Sequence, residues 1–253
     1  MNVQVAVLAA GMGTRLGRPL PKSQTRLRDG RTIMQQQVDA LRGVLGAAVP
    51  ITVVVGFKAT LIMEATPDVL FAYNEDFDRT NTSKSLLRAL VTSHEGGVLW
   101  LNGDVVFDPR ILVHVLPWIA RDETFVCVNT EDVGEEEVKY TVDAEGFVAE
   151  LSKTVVGGLG EAVGINFVSS RDKPVLVECL RACGDQDYFE RGLELAVERG
   201  VRVAPVDISR FDAVEVDVEE DLRRADEIDA DHLRLDPRPA GAGPTAPSGT
   251  GSA

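Results

Sequence analysis

The chain opens Val3-Gln4-Val5-Ala6-Val7-Leu8-Ala9-Ala10-Gly11-Met12-Gly13-Thr14-Arg15, and Lys22 follows seven positions after the arginine. The apolar run up to Leu8 has the length and β-branched content of a buried strand. Gly11 and Gly13 free the backbone to turn tightly and let a ligand approach where a Cβ would otherwise stand. The small residues expose consecutive backbone N–H groups, which form a concave anion site. Arg15 adds a planar fork suited to phosphate oxygens, and Lys22 a mobile point charge. A strand that empties into a glycine loop with two cations suits a triphosphate. The ligand-facing part of the loop is expected to be Leu8, Ala9, Ala10, Gly11, Gly13 and Thr14, with Arg15 and Lys22 as the catalytic cations.

Two common phosphate loops do not fit. No Gly-Lys-Ser/Thr follows at Walker A spacing, and Leu16 stands where the dinucleotide fingerprint needs its third glycine. Taken whole, LAAGMGTRLGRPLPK resembles the signature of nucleotidyltransferases that join an NTP to a phosphorylated small molecule. The resemblance runs from about Val3 to about Ile228.

Composition is that of an ordinary globular domain, 44% hydrophobic and 26% charged. At 253 residues it suffices for one full core. No stretch reaches the roughly 18 apolar residues of a membrane span, and the N-terminal segment reads as a strand instead of a signal peptide. Three cysteines, Cys127, Cys179 and Cys183, suit reduced thiols in a cytoplasm better than disulfides or zinc. The net charge of −14 argues against a nucleic-acid surface and would repel a nucleotide at long range. Arg15, Arg18, Lys22, Arg26, Arg28 and Arg31 crowd near the opening loop and are expected to reverse that field locally.

Strand and helix patterns alternate through the first half. Strands are expected at 3–8, 51–55, 69–73 and 98–101, and helices at 32–45, 58–65, 83–92 and 109–116, the last ended or kinked by Pro117. Such alternation implies βαβ units and an α/β fold with a doubly wound, mostly parallel sheet. Its ligands bind beyond the carboxyl ends of the strands. From 124 to 169 four short strands (125–129, 138–142, 147–151, 163–168) suggest an antiparallel extension that serves as the acceptor platform. Helices at 175–182 and 188–198, strands at 201–206 and 213–216 and a helix at 218–228 complete one domain over 1–232. The tail, 233–253, is rich in Pro, Gly, Ala, Ser and Thr and is expected to be disordered.

Nucleotidyl transfer needs carboxylates for Mg²⁺, cations for phosphates and a surface for the base, and it needs no protein nucleophile. Asp104 follows the run Val98–Leu101 in the turn Asn102-Gly103-Asp104, so its carboxylate is expected near the glycine loop, with Asn102 and Gly103 beside the nucleotide. Asp217 ends the alternating run Ala213–Val216. It sits where a helix cap would be, with Glu220 completing a capping box, and its two oxygens allow it to serve as a metal ligand as well. The family resemblance implies metal-binding aspartates after both strands, hence Mg²⁺ on Asp104 and Asp217, with Glu215 a weaker outer candidate. The segment Asn81-Thr82-Ser83-Lys84-Ser85 starts a helix, capped by Thr82 or Ser83. It resembles the nucleotide-binding loop of cytidylyltransferases, which implies contacts from Asn81 and Ser85. On the acceptor platform the resemblance implies that Lys153 and Glu161 face the second substrate, and Tyr140, Tyr188 and Phe189 are weighed as walls of a cage for a quaternary amine.

The short Arg15-to-Lys22 spacing and the run TNTSKSLLRAL look most like phosphocholine and phosphonate cytidylyltransferases. The resemblance thus implies CTP and a phosphate- or phosphonate-bearing acceptor. The alternative is a sugar-1-phosphate nucleotidyltransferase. A noncatalytic nucleotide-binding module would not need both cations and both aspartates. A glycosyltransferase would need Asp-x-Asp at a strand end, and the matches here (Asp76/Asp78, Asp185/Asp187, Asp229/Asp231) fall in expected loops or beside helices.

Overall fold

The computed structural model describes residues 3–13, 16–131 and 137–228. Thr14, Arg15 and the tail 233–253 lie outside the described residues.

Strand β1 (Val3–Ala9) is buried along its whole length. It is an interior strand of a sheet completed by β2 (Ile51–Val55), β3 (Leu70–Tyr73), β4 (Gly97–Asn102), β6 (Phe125–Asn129), β9 (Glu161–Val168) and β10 (Ala204–Asp207). Their spatial order is β10-β6-β9-β4-β1-β2-β3. β1 pairs in parallel with β2 and β4, as do β2 with β3 and β6 with β10. Only β9 runs against its neighbours, between β4 and β6. The hairpin β7 (Lys139–Val142) and β8 (Val148–Ser152) hangs from its edge. The antiparallel part expected as an extension is therefore one strand built into the sheet plus a hairpin beside it. A further ladder, β5 (Val105–Phe107) against β11 (Ala213–Glu215), stands apart; β5 was not expected from the sequence.

Alternation along β1 sends Val5 and Val7 to one apolar layer and Ala6 and Leu8 to the other. Helices α1 (Ile33–Leu45), α2 (Ala59–Ala65) and α4 (Arg110–Arg121) cover the first face. Helices α3 (Thr82–Thr92), α5 (Lys173–Ala182) and α6 (Phe189–Glu198) cover the second. Burial on both sheet faces is why the parallel strands read as continuous apolar runs. A third, smaller cluster joins Leu16, Leu27 and Ile33 to Val106, Val214, Val216 and Leu222, and docks helix α7 (Glu219–Ala225).

Two local expectations change. Helix α4 continues through Pro117. Val113 and Pro117 both lie on the solvent face, so the carbonyl that Pro117 cannot satisfy is open to water. The cap of α3 is Asn81, whose Oδ1 accepts from the Thr82 N–H at 2.8 Å. The Thr82 hydroxyl instead accepts from the Phe189 N–H at 3.0 Å and ties the starts of α3 and α6 together. The three cysteines are buried free thiols, and burial pushes the Cys127 thiol far up.

Candidate active site

A cleft of about 510 Å³ opens beyond the carboxyl ends of β1 and β4. Its floor begins where β1 runs into the glycine loop. Gly13 has φ +58°, and a Cβ there would come within 2.6 Å of Lys22 Cγ. Glycine lets the loop turn and lets the lysine stem cross it. Lys22 starts a short 3₁₀ turn, Lys22–Gln24, after Pro21. From there its ammonium reaches Asp104 Oδ2 at 3.1 Å and Asp217 Oδ1 in a short contact.

Those aspartates meet because of the β5–β11 ladder. Its register sets Val105 opposite Glu215, and the Val216 N–H continues it to the Asp104 carbonyl at 3.0 Å. Carboxylates from two distant stretches are thereby folded onto one spot. Gly103 sits under the turn: its N–H donates to the Leu8 carbonyl at 2.9 Å, and an added Cβ would lie 2.7 Å from that same oxygen. Buried Gln37 on α1 donates Nε2 to the Asn102 and Val105 carbonyls at 2.8 and 2.7 Å, clamping the turn from below. Two glutamines of the run Gln35-Gln36-Gln37 are thus structural ties to β4–β5, Gln36 through the Phe107 carbonyl. Their signal in the sequence was polar residues on an otherwise apolar helix face.

Asp217 is not a cap. Asp221 accepts from the Asp217 and Val218 N–H groups at 3.0 and 2.9 Å, which leaves the Asp217 carboxylate turned to Lys22. One oxygen each of Asp104, Glu215 and Asp217 lie within 4.8 Å of one another. That set of hard oxygens, already converging on an ammonium, fits a divalent cation. Glu215, expected as an outer candidate, brings an oxygen into the same cluster. Its surroundings and the Asp104 and Asp217 carboxylates push its carboxyl up to about 8, with Lys22 opposing. For Lys22, burial lowers the ammonium's pKa, but Asp104 and Asp217 outweigh this and hold it above the ordinary lysine value. It stays charged at any neutral pH.

Of the residues expected from sequence, Leu8, Ala9, Gly11, Gly13, Lys22, Asn81, Asn102, Gly103, Asp104, Lys153, Glu161, Tyr188 and Asp217 line this one cleft. Three do not. Ala10 is buried, its carbonyl accepting from the Phe57 N–H at 3.0 Å. Ser85 is buried against Asn74, whose Nδ2 donates to its hydroxyl at 3.2 Å. Helical geometry turns it into the protein while Asn81, one turn earlier, faces out. Tyr140 is 4% exposed and belongs to the apolar layer under α6. Phe189 lines the cleft but is buried, with Trp100 packed edge-on at 5.7 Å. The aromatic cage therefore reduces to Tyr188, whose ring already carries the Lys153 ammonium at 5.4 Å.

The basic cluster also disperses. Arg18 pairs with Glu219 and Arg31 with Asp29, while Arg26 donates to the Gly30 carbonyl, all outside the cleft. Among the described residues, Lys22, Lys153 and Arg224 are the cations lining it. The sequence reading missed Glu190, a buried carboxylate in the acceptor half of the cleft.

A glycine loop, a lysine and converging carboxylates thus meet at the carboxyl edge of a mostly parallel sheet. A family model described as a MobA-like NTP transferase domain matches residues 5–202, and the chain belongs to that family. It is 27% identical over 246 residues to CMP-5'-(3-aminopropyl)phosphonate synthase of Streptomyces rubellomurinus. That match takes in 88% of this chain and 38% of the relative's length. The fold is shared with the inositol-1-phosphate CTP transferase of T. maritima (TM-score 0.71, 16% identity, 88% of this chain and 96% of that one). It is shared equally with the CTP:phosphocholine cytidylyltransferase of Streptococcus pneumoniae (0.66, 16%, 90% and 99%) and a putative glucose-1-phosphate thymidylyltransferase of Bacillus anthracis (0.69, 16%, 88% and 94%). No described helix is long and apolar enough to cross a membrane.

Proposed function

We propose that this chain transfers CMP from CTP to a small phosphonate or phosphate acceptor and releases pyrophosphate. The observation that carries the reading is the Lys22 ammonium held by Asp104 and Asp217 at the rim of the glycine loop. An acceptor oxygen bonds to the α-phosphorus as the bond from that phosphorus to the bridging oxygen of pyrophosphate breaks. Both reactants are anions, so the protein's part is alignment and charge neutralisation. Backbone amides of the loop from Gly11 to Gly13 hold the triphosphate, and Arg15 supplies a second cation there. Lys22 neutralises charge at the α-phosphate. Asn81, Asn102 and Gly103 border the nucleoside, and Lys153 and Glu161 border the acceptor.

Asp104 and Asp217, with Glu215, would hold Mg²⁺, which when bound screens the triphosphate oxygens. The choice of CTP is supported by the Streptomyces relative, whose product carries CMP, and by the short polar side chains of Asn81 and Thr82, which line the cleft at the start of α3. These suit a small pyrimidine better than a purine. Pyrophosphate release measured with CTP, UTP, dTTP, ATP and GTP against phosphonates, phosphocholine and hexose 1-phosphates tests the reading. The expected result is CTP favoured about 10- to 100-fold over UTP, as one buried hydrogen-bonding group supplies. Turnover of a hexose 1-phosphate with UTP or dTTP would replace the proposal by the sugar-nucleotide alternative.

A further inference from the structure

Glu190 is a buried carboxylate of the acceptor half that the chemistry above leaves unused. It is the second residue of α6 and is 8% exposed, yet it borders the cleft beside Tyr188 and Lys153. Among the described residues nothing hydrogen-bonds its Oε2. An oxygen withdrawn from water without a donor costs free energy unless function retains it. The arrangement invites an N–H donor with positive charge.

Lys153 does not fill that role. It influences Glu190 only through space, and its ammonium stands over the Tyr188 ring. The same geometry speaks against a trimethylammonium group. Such a group has no N–H to give Oε2, and it needs several aromatic faces where, among the described residues lining the cleft, Tyr188 alone is an exposed aromatic. Burial pushes the Glu190 carboxyl up to about 7, so at neutral pH an arriving ammonium would also stabilise its ionised form.

We infer that Glu190 Oε2 is the docking point for a primary ammonium at the far end of the acceptor. The substrate class is thus the ω-aminoalkyl phosphonates and phosphates. This rests on the transferase reading and sharpens its acceptor; Lys153 is left to face the acceptor's anionic end.

The test compares kcat/KM for 3-aminopropylphosphonate, 2-aminoethylphosphonate, propylphosphonate and phosphocholine, with CTP and Mg²⁺, in wild type and Glu190→Gln. Wild type should favour the better of the two primary amines by about 10- to 100-fold over propylphosphonate and phosphocholine, the span of a charge-assisted hydrogen bond. Glu190→Gln should erase the gap over propylphosphonate by lowering kcat/KM for the amines, with KM for CTP unchanged. Equal use of propylphosphonate and both amines by wild type overturns the inference and leaves the transferase intact. So does an equal loss with every acceptor in Glu190→Gln, which would mean that Glu190 acts through Lys153 or the fold. If no acceptor yields pyrophosphate, the transferase reading fails. Calorimetric titration of the same phosphonates into protein holding the α,β-methylene analogue of CTP then judges the ammonium site alone. Tighter binding of an amine in wild type than in Glu190→Gln sustains it, and equal binding overturns it.

Discussion

Replacing Lys22 by methionine keeps the stem that crosses Gly13 and removes the charge that Asp104 and Asp217 share. The side chains of Lys22, Asp104 and Asp217 are 11%, 20% and 23% exposed, so an effective dielectric near 20 applies. Oxygens within 4.8 Å of one another then repel by at least roughly 3 kcal/mol per ionised pair, and the lost attraction at 3.1 Å is of order 5 kcal/mol. Desolvation of the buried ammonium offsets much of this, leaving a net destabilisation of about 2 kcal/mol. For a domain of this size that lowers Tm by about 4–8 °C. The raised pKa of Lys22 fixes the pH window. Its contribution is complete below the ordinary lysine value and fades only as pH rises past it, so neutral pH is the place to measure. Thermal unfolding in EDTA should show the loss. Millimolar Mg²⁺ should restore more Tm to Lys22→Met than it adds to wild type, because the cation enters a cluster freed of its ammonium. The same melting temperature for both proteins in EDTA, or an identical Mg²⁺ gain in both, would refute the reasoning.

Asp104→Asn should lower kcat by about 100- to 1000-fold with Tm within a few degrees of wild type, read from pyrophosphate release and a parallel melt; full activity removes Asp104 from the metal site. Gly103→Ala should cost about 1–3 kcal/mol in urea unfolding, since the new Cβ meets the Leu8 carbonyl oxygen at 2.7 Å. Gly11→Ala, with nothing within 4 Å, should be near neutral in stability and weaken nucleotide binding instead. Glu190 binds its proton more tightly when folded, its carboxyl near 7 against about 4.3 unfolded. Its contribution is therefore most favourable below about pH 4.3 and is lost as pH rises through 7. Glu190→Gln should gain on wild type by on the order of 1–3 kcal/mol between those limits, seen as a flatter plot of unfolding free energy against pH; parallel plots would contradict the burial of that charge.

The sequence by itself determined the layered α/β architecture, because strands buried on both faces must be apolar throughout and helices buried on one face must be amphipathic. Both patterns are local and survive in the linear chain. It also determined the glycine loop, since only glycine takes φ +58° beneath a lysine stem without strain. Asp104 was legible for the same reason: a turn directly after a buried strand has one place to put its side chain. What only the tertiary structure decided depends on register between distant segments. The pairing of β5 with β11 is set by Val106, Val214 and Val216 packing with Leu16 and Leu222, and it carried Glu215 into the carboxylate cluster. Asp221 took the Asp217 N–H that the expected capping box assigns to Glu220, a choice between two carboxylates that four residues of sequence could not rank. Helical phase about α3, fixed by what the sheet left to cover, turned Ser85 inward and Asn81 outward. Tyr140 and Glu190 reversed the roles that composition suggests, the aromatic going to the core and the carboxylate to a dry wall of the cleft. Hydropathy ranks a side chain by its average environment, whereas the position of the hairpin and of the first turn of α6 set the actual one.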